Sequence, residues 1–242
     1  MDWAGNQGVR SVQHDAGNRD GRLTPEERES WQRVGRRQRY SNGTPLVREG
    51  EPSRKVLLVE RGLVKVISAA DNGRSVLLAV RGPGEIVGDV AALDGGSHSA
   101  SVFALGEVVA HALSPGDFLG FLGSHPRISA TLLQLMARRL RESDGQRLEY
   151  GTRTVPQRMA SRLLTLAEDY GTPLADGAGV LVDLRLTQTE LADSVAASRD
   201  AVVNALRALR GVGAVDTDNY YRFIIFDPVL LRDIATGVIQ VT

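Results

Sequence analysis

The sequence predicts an α+β fold made of an N-terminal β-roll, a long helix and a C-terminal winged helix-turn-helix. Three observations predict it. Short β-rich runs punctuated by Gly and Pro fill residues 40–118, which suits a sandwich, barrel or roll. An apolar pattern of helical period follows from His125 to about Arg153. The stretch TQTELADSVAASRDAVVNALRAL, residues 187–209, then reads as two short helices meeting at a tight turn, the arrangement by which DNA is commonly read.

A chain of 242 residues is long enough for two domains, each with its own core. The expected division is an arm at 1–23, a β-roll at 24–124, a dimerisation helix at 125–153 and a DNA-binding domain at 154–242. The arm is rich in Gly, Asn and Asp and poor in large apolar residues, which suits disorder. From Thr24 a short helix is expected over TPEERESWQRVGRRQRY: Thr24 and Glu27 form a capping box, Pro25 takes the first turn, and Arg36, Arg37 and Arg39 cluster at its end as a solvated group. Five strand-like runs follow, at 55–60, 63–68, 75–80, 101–104 and 108–113, with glycines such as Gly62 and Gly106 between them as turns.

In the long helix Ile128, Leu132, Leu133, Leu135, Met136, Leu140 and Leu148 cover more than one face. One face can pack on the roll and another on a second copy, as in a coiled coil; a monomeric helix packed only on its own domain is the alternative. Arg138, Arg139, Arg141 and Arg147 are expected on the solvated side. After a hinge near 151–156 a helix at 157–170 opens the last domain, with Leu163, Leu164 and Leu166 inward.

Thr187 and Glu190 form another capping box. Leu191, Ala192 and Val195 face inward, Ala196 and Ala197 allow a close turn, and Ser198 caps the second helix, whose Val202, Ala205, Leu206 and Leu209 are buried. Ser198, Arg199, Asp200 and Asn204 remain outward, where Arg pairs with guanine, Asn with adenine and a carboxylate with cytosine or a neighbouring Arg. Ala196 stands where Gly is common and carries strain if its backbone is left-handed. Two strands, 215–218 and 221–226, joined at Asp218, Asn219 and Tyr220, would form the wing. An ordinary helical hairpin in a core is the alternative for the paired helices.

The 29 basic and 29 acidic residues cancel, so DNA affinity must come from a local arrangement and dimerisation. The absence of cysteine excludes disulfides, thiol catalysis and cysteine-ligated iron–sulfur clusters. No Walker loop, nucleophile elbow, zinc spacing or catalytic carboxylate pair is present, so no enzyme, catalytic residue or metal site is expected. The four histidines show no spacing that suits haem. With no long apolar run and no charged-then-apolar leader, a soluble cytoplasmic protein without membrane contact is expected.

The order of GEIVGDVAAL, HSASV, LMARRL and LTQTELADSVAASRDAVVNAL resembles the Crp/Fnr family of bacterial regulators, over roughly residues 40–227. The resemblance implies a cyclic-nucleotide-binding-like jelly roll, a homodimer joined through the long helix, and double-stranded DNA with a two-fold symmetric site; RNA polymerase is a further partner it admits. Family members that bind cyclic AMP hold its phosphate with an Arg-Ser pair and amides at a short helix start, and its ribose with a Glu. Here Gly88 and Ser99 match, whereas Asp89 stands for the Glu and His98 for the Arg. Asp is one methylene shorter, and a neutral imidazole replaces a bidentate cation. Ser143 and Asp144 fall at the family's adenine-contacting pair. Cyclic AMP, another nucleotide or a small anion is therefore the expected ligand, with a vestigial pocket as the alternative. The resemblance also gives Arg199 as the guanine reader, Asp200 and Asn204 as altered neighbours, and Thr187, Thr189, Ser198, Asn219 and Tyr220 as phosphate contacts. Two other readings stay open: the same DNA-binding fold regulated by abundance or a protein partner, and a nucleotide sensor whose C-terminal domain docks on protein.

Overall fold

The computed structural model describes residues 23–69, 75–184, 186–217 and 222–241. The N-terminal arm and the wing tip with Asn219 and Tyr220 lie outside the described residues.

Helix α1 (Pro25–Val34) begins at the predicted capping box: Thr24 N–H donates to Glu27 Oε2 at 2.9 Å, and Glu27 N–H donates back to Thr24 Oγ1 at 3.3 Å. It ends at Gly35, where a Cβ would lie 3.0 Å from the Trp31 carbonyl oxygen and 3.1 Å from His111 Cβ. Trp31 is wholly buried, donates from Nε1 to the His111 carbonyl and packs edge-on against Phe121. Arg36, Arg37 and Arg39 are not at a helix end. They belong to strand β1 (Arg36–Tyr40), whose Arg37 forks onto Glu60 at 2.9 and 3.1 Å, so the sheet partner overrides the local helical tendency.

Strands β2 (Pro45–Val47), β3 (Val56–Ala69), β4 (Ser75–Arg81), β5 (Ile86–Val87) and β6 (Ser101–Leu113) complete an antiparallel six-stranded sheet in the order β1-β6-β3-β4, with β2 on β6 and β5 on β3. The predicted runs 55–60 and 63–68 are one strand, as are 101–104 and 108–113. Gly62 and Gly106 have φ of 84° and 88°, and the pairing of β3 with β6 shifts register around Arg61, so these glycines bend strands and do not end them. At Gly62 a Cβ would lie 2.2 Å from the Glu107 carbonyl oxygen, a contact only glycine avoids. The short helix α2 (Asp89–Asp94) intervenes before β6.

The expected single helix from His125 is preceded by a further one, α3 (Pro115–Ser124), capped by Ser114. Pro126 lacks the N–H that would join it to α4 (Pro126–Thr152). The expected packing of α4 on the roll is present, with Ile128, Leu132 and Leu135 against Phe118, Phe121 and Trp31, while Leu133, Leu140 and Leu148 are exposed in the single chain. Arg139 does not belong to the solvated side; its guanidinium turns inward toward α2.

Helix α5 (Val155–Tyr170) opens the last domain, burying Leu163 and Leu166 with Leu164 only partly covered. Strands β7 (Thr172–Pro173) and β8 (Val180–Val182), helices α6 (Gln188–Ser194) and α7 (Arg199–Gly211), strands β9 (Val215–Thr217) and β10 (Phe223–Ile225), and helix α8 (Pro228–Thr236) follow. The second sheet runs β7-β8-β10-β9, all antiparallel, so the wing strands are where the sequence placed them and are joined by two strands it did not reveal. Leu77 and Val80 of β4 belong to the same apolar cluster as Leu163, Leu191 and Leu206. The roll and the C-terminal domain therefore share packed surface, pinned by a hydrogen bond from Tyr170 Oη to the Val80 carbonyl at 2.8 Å and by an ion pair between Lys65 and Glu190.

Candidate functional site

The paired helices α6 and α7 are built by their caps. Thr187 Oγ1 accepts from Glu190 N–H at 3.1 Å, Glu190 Oε2 accepts from Thr187 N–H at 2.9 Å, and Ser198 Oγ accepts from Ala201 N–H at 3.2 Å. Between them Ala196 has φ of 49°, the left-handed conformation the sequence raised as a cost. The turn is held by Ala197 N–H donating to Ala192 O at 3.0 Å, and by Arg158, which donates to the carbonyls of Val195 and Ala196 at 2.8 and 3.3 Å.

Val202, Ala205, Leu206 and Leu209 are buried, which fixes the rotation of α7 and turns Arg199, Asp200 and Asn204 to solvent. Thr187, Thr189 and Ser198 are exposed as well. Arg199 Nε donates to Gln188 Oε1 at 2.8 Å, so the first residue of α6 steadies the first residue of α7. Arg207 was not foreseen; it is exposed and donates to Asn204 Oδ1 at 2.8 Å. Its place three residues after Asn204 was the available signal. Arg210, also exposed, ties α7 to the wing through Asp216 at 3.3 Å and Thr217 at 2.6 Å.

A cavity of about 690 Å³ lies between the roll, α4 and the C-terminal domain. Gly88, Asp89, His98, Ser99 and Ser143 all line it; Asp144 does not, being exposed and paired with Arg147 at 3.7 Å. Gly88 has φ of 79°, and a Cβ there would sit 3.0 Å from the Lys55 carbonyl oxygen and 3.3 Å from His98 Cε1, so no side chain fits at that wall. His98 is buried, and burial pushes its pKa below the ordinary imidazole value; nearby Lys55 adds to this and Glu51 opposes it. The ring is therefore neutral near pH 7 and can present one donor.

Asp89 is buried and already engaged. Arg139 donates Nη1 to Asp89 Oδ2 at 2.8 Å and Nη2 to the Ile86 carbonyl at 2.9 Å. A guanidinium delivered from α4 therefore lines the same cavity as His98, held there by Asp89 and the Ile86 carbonyl. Sequence spacing gave no sign of it because the partners lie on elements that only the fold brings together. Among the described residues no group of His, Asp or Glu is placed to hold a metal ion, and no helix is long and apolar enough to cross a membrane.

Residues 37–125 match the family model of a cyclic nucleotide-binding domain, and residues 157–234 that of a Crp-like helix-turn-helix domain. The chain is 34% identical over 167 residues to the CRP-like cAMP-activated global transcriptional regulator of Mycobacterium tuberculosis, covering 69% of this chain and 74% of that one. It is 33% identical over 193 residues to the cyclic AMP receptor protein of Thermus thermophilus, covering 80% and 85%. Its fold is similar to that of FixK2 from Bradyrhizobium japonicum, with a TM-score of 0.72 at 20% identity over 83% of this chain and 97% of that one. A CRP-family transcriptional regulator from Thermus thermophilus gives a TM-score of 0.68 at 24% identity over 82% and 96%.

Proposed function

Because the chain belongs to the Crp/Fnr family of transcriptional regulators, we propose that it reads a two-fold symmetric DNA site as a homodimer, and that a nucleotide in the cavity gates this binding. The observation that carries the proposal is that a single cavity is lined at once by the roll, by α4 and by α5 and α6 of the DNA-binding domain, so its occupant touches both ends of the control path. A ligand shifts a conformational equilibrium only through contacts that differ between the states, and an occupant seated across two domains has such contacts.

In this reading Arg199 pairs with guanine, Asp200 and Asn204 tune the neighbouring bases, and Thr187, Thr189, Ser198 and the wing-tip Asn219 and Tyr220 meet phosphates. Arg207 extends the basic edge of α7. Leu133, Leu140 and Leu148, exposed in the single chain, form the stripe on which a second copy packs. That pairing would place Asp144, on the outward side of α4, toward the partner. The protein would act on chromosomal DNA in the cytoplasm, with RNA polymerase as the partner that reads its position.

At the roll end of the cavity Ser99 and neutral His98 would receive the ligand's phosphoryl group, Arg139 would supply the cation, and Ser143 would meet the base. The test is calorimetric titration of the native dimer and of His98→Arg with cyclic AMP and cyclic GMP, followed by anisotropy with a palindromic DNA. Micromolar binding that raises DNA affinity supports gating. Binding by neither protein, with DNA affinity intact, would leave a constitutive DNA-binding protein with a vestigial pocket.

A further inference from the structure

Helix α7 carries one apolar side chain among its outward polar residues. At about 100° per residue, the exposed Arg199, Asp200, Asn204, Arg207 and Arg210 occupy an arc of about 140°, opposite the buried Val202, Ala205, Leu206 and Leu209. Val203 falls inside that arc, one turn after Arg199 and one turn before Arg207. It is partly exposed, and among the described residues it joins no apolar cluster of the core. The polar side chains on either side have partners of their own: Arg199 Nε donates to Gln188 Oε1 and Arg207 Nη1 to Asn204 Oδ1, both at 2.8 Å. Helix formation gives no reason for the branched side chain, since alanine has the higher helix preference.

In the major groove the base edges present donors and acceptors, and the C5 methyl of thymine is the apolar group among them. An aliphatic side chain on the outward arc of a recognition helix, level with Asn204, has that group to pack on. We propose that Val203 is a specificity-determining residue that packs on the C5 methyl of a thymine in each half-site, beside the base pairs met by Arg199 and Asn204. The proposal rests on the DNA-reading function above and deepens it by naming one base of the site. Two effects select thymine. Removing its methyl from water against the valine is favourable. A cytosine at that place lacks the methyl and brings its N4 amino group against a side chain with no acceptor. The recognised chemistry is the methyl group, which 5-methylcytosine also presents.

The probe is the duplex that the native full-length chain selects from a pool of randomised two-fold symmetric sites, titrated by anisotropy. Each thymine is exchanged in turn for uracil, which removes only the methyl. At one thymine per half-site uracil should weaken native binding about fourfold, and about fifteenfold when both half-sites are changed, the worth of one buried methyl. Val203→Ala should bind the thymine and uracil duplexes within about twofold of each other, while still discriminating guanine at the pair read by Arg199. Val203→Thr, which keeps one of the two methyls, should fall between. With cytosine in place of that thymine, methylation at C5 should raise native affinity about threefold or more and leave Val203→Ala unchanged. Uracil sensitivity nowhere in the half-site, or a sensitivity that persists in Val203→Ala, overturns this inference and leaves the DNA-reading function standing. Selection of no site by the native chain overturns both.

Discussion

Ala196→Gly should stabilise the protein, because the residue holds φ of 49° in the turn between α6 and α7. A left-handed conformation costs an L-residue about 1–2 kcal/mol, since its Cβ crowds the following carbonyl. Replacement by glycine removes that cost and adds about 0.5–1 kcal/mol of extra chain entropy in the unfolded state. Little burial is lost, because the Ala196 methyl is exposed. The net gain is about 0.5–1 kcal/mol, which for a chain of this size raises the melting midpoint by about 1–4 °C. The turn itself should not move: Ala197 N–H to Ala192 O at 3.0 Å and the Arg158 bonds to Val195 and Ala196 involve only backbone atoms of the turn. Urea melts should therefore show a higher midpoint at unchanged slope, and DNA titration should show affinity within about twofold of the native chain. A lowered midpoint would refute the reasoning, since the strain would then have no energetic weight. Ala196→Val, which adds β-branching at the same φ, should fall on the opposite side of native.

Four further perturbations separate reading, docking and acid response. Arg199→Ala should cost about 1–3 kcal/mol per half-site and relax preference at one base pair, measured by anisotropy on a substituted operator panel; unchanged discrimination would remove Arg199 as the reader. Arg207→Ala should weaken all sequences alike and lower the salt dependence, and a sequence-specific loss would make it a base contact instead. Burial pushes Glu190 up, but its bonds to Lys65 and to Thr187 N–H outweigh this and hold it below its ordinary value, so its contribution to stability is present at neutral pH and lost as pH falls through the native value. Lys65→Met should shift that acid loss to higher pH and loosen the domain contact, seen as faster amide exchange in α6; unchanged exchange would mean the ion pair carries no docking energy. Glu60 is held down to about 2, first by Arg37 and, against opposing burial, by His111, so acid melts of the native chain should lose stability between about pH 4.5 and 2, and Glu60→Gln should flatten that slope.

What the sequence made legible is what neighbouring residues decide. The capping boxes at Thr24 and Thr187, the buried face of α7 and the left-handed strain at Ala196 all depend on residues a few positions apart. The bends at Gly62 and Gly106 read as turns in the sequence because a glycine with positive φ punctuates both, and only the partner strand tells a bulge from a loop. Helix α3 was hidden by its glycines, Gly116, Gly120 and Gly123, which lower intrinsic helix preference; Ser114 and the burial of Phe118 and Phe121 hold it nonetheless. From the sequence Arg139 reads as solvated because its partner, Asp89, is 50 residues away, and the Lys65–Glu190 pair is 125 residues apart. Such pairs leave no periodic trace.

Those long-range contacts also set the energy scale of the proposed gating. Separating the DNA-binding domain from the roll would uncover Leu77 and Val80, each 3% exposed in the docked arrangement, and release the Tyr170 bond to the Val80 carbonyl. Full exposure of such a side chain costs about 1.5–3 kcal/mol, and a net hydrogen bond about 0.5–1.5 kcal/mol. Together they amount to about 3.5–7.5 kcal/mol, a range that includes the roughly 5.5 kcal/mol that moves a two-state equilibrium from 1:99 to 99:1. A ligand contributes to that difference only through contacts that change between the two states. An occupant that also meets α5 does contribute. In the proposed gating, the α5 and α6 residues that line the cavity are those through which ligand binding would be converted into a change of DNA affinity.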